Sequence, residues 1–178
     1  PDGGQLVEGL GVGALPAVTY LLLENVCVGD AGASALAAAL DRGALPRLKH
    51  LYLCSAAIGD AGLLALTPAL RRRPALDFLG LSGNRFGDEG LAALVAPPPA
   101  DAPPPQAEAL AQLRVLNLYS TQITDDGCAH LASRLRSGAL PALKGLNLHA
   151  IAANGAAIGA VYDARPAAPA GCEEVRWH

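Results

Sequence analysis

Along the chain, leucines alternate at Leu51 and Leu53, a polar turn follows, and apolar residues return at Ile58, Leu66 and Leu70. Alternation predicts a short strand with two side chains pointing inward, and the later i, i+4 spacing predicts a helix with one apolar face. The same string recurs. Counted from Leu48, the unit carries apolar residues at +3, +5, +10 and +18, with Asp60 at +12 and Gly62 at +14. From Val18 these offsets fall on Leu21, Leu23, Val28, Asp30, Gly32 and Leu36. From Leu76 they fall on Leu79, Leu81, Phe86, Asp88, Gly90 and Leu94, and from Leu113 on Leu116, Leu118, Ile123, Asp125, Gly127 and Leu131. A fifth unit begins at Leu143 with Leu146 and Leu148 and keeps Val161, but has Gly155 and Ala157 where the others have Asp and Gly.

Units of this length with a fixed internal pattern predict a solenoid in which each repeat buries its apolar side against its neighbours. The aligned residues resemble the leucine-rich-repeat family, in particular its ribonuclease-inhibitor-like type, over residues 1–163. The resemblance implies an α/β fold: a right-handed horseshoe with parallel strands on the concave face and helices on the convex face. The family usually has Asn or Cys at +8. Only Asn84 fits; Val26, Ala56, Thr121 and Ile151 depart from the pattern.

Domain organisation follows from the repeats. Residues 1–17 read as the back half of an earlier unit, because Leu6 and Leu10 match Leu36 and Leu40, and Gly13-Ala14-Leu15-Pro16 matches Gly43-Ala44-Leu45-Pro46. This reading makes the chain a piece of a longer array. Repeats then start at 18, 48, 76, 113 and 143. The interval from Leu79 to Leu116 is long because of the proline-rich segment 97–105, which favours extended conformations and should bulge after the third helix. Residues 164–178 read as an irregular tail or crude cap.

Within a unit, Asp30, Asp60, Asp88 and Asp125 stand at helix starts, where each carboxylate is expected to cap its own helix. Gly43 and Gly138 should end helices in a left-handed conformation. Arg71, Arg72 and Arg73 read as a solvated helix end. Of the cysteines, Cys27 and Cys128 are expected to be buried and Cys54 exposed.

A 52% apolar content is enough for a core, and a net charge of −3 gives no electrostatic case for nucleic acid or an anionic membrane. No run reaches the ~18 apolar residues of a spanning helix. The four cysteines form no CxxC pair and there is no glycosylation sequon, which favours a reducing, cytoplasmic setting. No catalytic, metal or cofactor signature is present, so the expectation is a non-enzymatic monomer.

Strand positions +2, +4 and +6 point away from the core onto the concave face. They hold Tyr20, Leu22 and Glu24; His50, Tyr52 and Cys54; Phe78, Gly80 and Ser82; Val115, Asn117 and Tyr119; Gly145, Asn147 and His149. Four of the six Phe and Tyr residues lie in this set. Rings on a rigid sheet supply contact area with little rotamer entropy, which predicts a surface for a protein partner. The resemblance also implies two alternatives: the sensing tail of a nucleotide-binding leucine-rich-repeat receptor, and a Ran-type GTPase-activating protein, for which Asn84 and Arg85 are the adjacent candidates.

Overall fold

The computed structural model describes residues 15–97 and 110–166. Residues 1–14, most of the proline-rich segment and the tail beyond 166 lie outside them. Five strands alternate with five helices: β1 (Tyr20–Leu22), α1 (Gly29–Asp41), β2 (His50–Tyr52), α2 (Asp60–Arg71), β3 (Phe78–Gly80), α3 (Asp88–Val95), β4 (Val115–Asn117), α4 (Asp125–Arg136), β5 (Gly145–Asn147) and α5 (Gly155–Asp163). The strands form one parallel sheet in sequence order, which is the expected solenoid.

Register follows the repeat offsets. Leu21, Leu51, Leu79, Leu116 and Leu146 face one another across the sheet. These +3 residues and their +5, +10 and +18 equivalents form the core; Leu51, Leu53, Ile58 and Leu66 are fully buried. Each such side chain contributes roughly 1.5–3 kcal/mol by leaving water.

Two turns per unit need a positive φ. At +7, where the chain leaves the strand, Asn25, Ser55, Gly83, Ser120 and Ala150 are all left-handed. At the turn entering the strand, Leu45, Leu110 and Leu140 adopt φ of 51–57° while their side chains are buried, so packing outweighs the local backbone cost. Gly43 and Gly138 end α1 and α4 at φ near 90°, as expected.

The aspartates do something other than cap their own helices. The residues at the N-caps of α1 to α4 make no side-chain cap hydrogen bond. Each aspartate reaches instead to the next repeat. Asp30 Oδ1 accepts from the backbone N–H groups of Gly59 and Gly62, at 2.7 and 3.0 Å. Asp60 Oδ1 accepts from Gly87 and Gly90, at 2.9 and 2.7 Å. Asp88 accepts from the N–H and hydroxyl of Thr124, and Asp125 from the N–H and side-chain amide of Asn154. The carboxylate thus satisfies the free donors of the following helix and staples one unit to the next. Only α5 is capped in cis, by Asn154.

The glycine two residues on is the other half of this device. A β-carbon at Gly90 would come within 2.9 Å of Asp60 Oδ1, and one at Gly62 or Gly127 would be closer still to Asp30 or Asp88. Ala157 stands where the other units have this glycine, and there Asp125 engages Asn154, as Asp88 engages Thr124.

Arginines also work across repeats, which corrects the reading of a solvated helix end. Arg71 donates to the carbonyls of Ala93, Leu94 and Ala96, and Arg134 to that of Val95. Together they satisfy the last carbonyls of α3, which has eight residues where α2 and α4 have twelve. Arg73 bonds the Leu40 carbonyl at the end of α1, and Arg72 pairs with Asp41. Burial lowers the pKa of Arg71 and of Arg73.

Asn84 is the one full +8 asparagine. Its Oδ1 accepts from Ala56 and Ile58, and its Nδ2 donates to Leu53 and Leu81, tying the second unit to the third. Thr121 bonds only Leu118 of its own unit, yet the sheet runs on unbroken through β4 and β5. The staples and the leucine core carry the stacking where asparagine is missing.

Candidate functional site

The sheet turns its +2, +4 and +6 side chains to the concave face. Because the strands are in register, side chains at one offset stand side by side, about 4.8 Å apart from strand to strand. Tyr20 and His50 stack at 4.2 Å between ring centroids, with 7° between their planes. Tyr52 and Phe78 stack at 4.4 Å, and His50 lies 6.1 Å from Phe78. Four rings from three strands therefore make one continuous cluster, at separations where aromatic pairs attract.

Gly80 makes this possible. A β-carbon there would lie 3.1 Å from both the Phe78 ring and Cys54 Sγ, so the ring leans over a position that must stay bare. Tyr20, Leu22 and Tyr119 are 56%, 60% and 46% exposed, which leaves apolar surface at both sides of the cluster.

The remaining expected site residues divide. Glu24 and His149 are exposed, while Ser82, Val115 and Asn117 are half-buried. Cys54 is half-buried rather than exposed: its thiol meets Ser82 and Glu24, and burial pushes its pKa up. Asn117 and Asn147 are occupied locally, each side chain accepting the backbone N–H two residues later, at 3.1 Å. Asn147 and Gly145 are buried. Tyr52 is less acidic than usual, from burial and the nearby Tyr20 and Glu24. Cys27 is exposed, against expectation, because +9 lies in the outer turn; Cys128 is buried as expected.

Asn84, one of the two polar candidates for GTPase activation, is 3% exposed and bonded to backbone on both sides. Among the described residues no His, Cys, Asp and Glu cluster could hold a metal, and no helix is long and apolar enough to cross a membrane.

This geometry defines a repeat protein with a parallel sheet lining one face and helices backing it. The family model described as Leucine Rich repeat matches residues 76–95 and 110–132, the third and fourth units. These two units match leucine-rich repeats, and the described residues fold as a leucine-rich-repeat solenoid. Among solved structures, leiomodin-1 actin-binding site 2 is similar, with a TM-score of 0.59 and 15% identity over 91% of this chain and 84% of that one. No curated protein matches the chain in sequence.

Proposed function

We propose that the chain is a non-enzymatic protein-interaction module that holds its partner on the concave sheet. One observation carries the reading: the stacked cluster Tyr20–His50–Phe78–Tyr52 on a rigid parallel sheet, flanked by exposed Leu22 and Tyr119. Large rings already ordered by stacking lose little further entropy when a partner covers them. The similar leiomodin-1 structure is titled an actin-binding site, which supports protein binding as the use of such a scaffold. A helix in every unit supports the ribonuclease-inhibitor-like type. Free thiols at Cys27, Cys54 and Cys128 support a reducing, cytoplasmic setting.

The test selects binders to the wild-type chain from a displayed library of protein segments. They are then titrated against Tyr52→Ala/Tyr119→Ala and against Leu64→Ala on the exposed side of α2. The expected result is a loss of about 2 kcal/mol or more, roughly 30-fold in Kd, for the tyrosine variant alone. Binders that survive the tyrosine changes and fail on Leu64→Ala would place the site on the helical side.

A further inference from the structure

A net charge of −3 conceals a strong separation of charge. The loops leading from helix to strand form one rim of the solenoid, and the loops from strand to helix form the other. Of the twelve basic residues among those described, eleven lie on the first rim, and only Arg85 lies on the second. Seven of the ten described acidic residues lie on the second rim. Counted over the described residues, the first rim is thus net positive by eight charges and the second net negative by six.

Both rims are built by the same repeat, so charge recurs along each, except that no basic residue stands in the last turn of α3. Asp30, Asp60, Asp88 and Asp125 recur once per unit at helix starts, and exposed Arg42, Arg72 and Arg136 recur at helix ends. We propose that the basic rim docks the acidic rim of a second copy of this chain, in a head-to-tail arrangement held by charge. Two arguments select this occupant. The acidic rim presents opposite charge along the same series of units, and docking sets helix N-termini against helix C-termini, so the helix dipoles also align favourably. The contact is heterologous: each copy keeps one rim free, and association continues beyond the dimer. Apart from Glu24, which stands at the edge of both, this surface is separate from the concave face, so the proposal stands or falls apart from the reading above. The sequence predicts a monomer; rim docking makes that state depend on salt.

The test is sedimentation velocity on the full chain at about 10 mM and about 1 M salt, where screening lengths are near 30 and 3 Å. Two variants reverse exposed charges that neither staple repeats nor cap helices. Arg47→Glu/Lys49→Glu/Arg136→Glu cuts the described basic rim from +8 to +2, and Glu89→Lys/Asp126→Lys cuts the described acidic rim from −6 to −2. The wild type should associate at low salt with increasing concentration and be monomeric at high salt. Each variant alone should stay monomeric while keeping its circular dichroism. Mixed in equal amounts, the two should associate again, because the intact acidic rim of one meets the intact basic rim of the other. A wild type that stays monomeric at low salt, or a charge variant that still self-associates alone, overturns the proposal. So does a mixture that stays monomeric at low salt.

Discussion

The carboxylate of Asp88 occupies the space that a β-carbon on Gly127 would need. Gly127 lies in the first turn of α4, where alanine is ordinarily favoured over glycine by about 1 kcal/mol. Here the sign should reverse. Gly127→Ala would drive Asp88 away from the N–H and hydroxyl of Thr124, leaving helix-start donors without a partner. A loss of about 1–3 kcal/mol is expected in a urea titration. In Asp88→Ala/Gly127→Ala the clash is gone, so the double variant should cost less than the two single losses added.

What the sequence could and could not show follows from this pair. Leucine offsets report burial directly, because a wrong residue in the core costs several kcal/mol, and so strands, helices and register were legible. The Asp and Gly offsets were legible too, but not the direction in which the carboxylate points. Spacing within a unit cannot tell a cap on its own helix from a cap on the next. Leu45, Leu110 and Leu140 gave no sign of a positive φ, since leucine is chosen there for burial. The concave set was readable as a list of positions. Which of its members stack, and which are held locally like Asn147, cannot be read from position alone.

Arg71 should be a stability residue. Arg71→Ala removes a charged donor from three carbonyls at the end of α3, and a loss of about 1–3 kcal/mol is expected. Arg71→Lys should recover only part of it, because an ammonium does not present the planar fork of a guanidinium. Amide exchange should quicken in α3 before it does in α2.

Asn84→Ala strands the buried N–H groups of Ala56 and Ile58. At about 1–3 kcal/mol per unsatisfied buried donor, a loss of roughly 2–6 kcal/mol is expected. Thr121→Val, at the same offset, gives up a single local bond and should cost about 1 kcal/mol. Equal midpoints for the two variants in urea would show that the cross-repeat bonds of Asn84 add nothing.

Thiol reactivity should follow exposure. Burial raises the pKa of Cys128 to about 11, so its thiol stays protonated and inert at neutral pH, whereas Cys27 is exposed. Mass spectrometry after iodoacetamide treatment should find Cys27 alkylated first, Cys54 later and Cys128 only on unfolding. The raised value also carries a pH dependence. Keeping the thiol neutral favours the fold fully below its ordinary value of 9.0, and that contribution is lost as pH rises towards 11.

The last prediction sets a core side chain against a long connection. Leu118 is fully buried at +5, between its equivalents Leu81 and Leu148 on the neighbouring units. Leu118→Ala should leave a cavity and cost about 2–5 kcal/mol. The proline-rich segment is the opposite case. Loop-closure entropy changes by only about 0.6 kcal/mol per doubling of length, so a shorter loop gains or loses little. The repeats on either side are joined by the β3–β4 pairing and by Arg134 on Val95, neither of which needs residues 98–105. Deleting those residues should therefore move a urea midpoint far less than Leu118→Ala does. A deletion as costly as the leucine change would mean that the segment packs against the solenoid and belongs to its core.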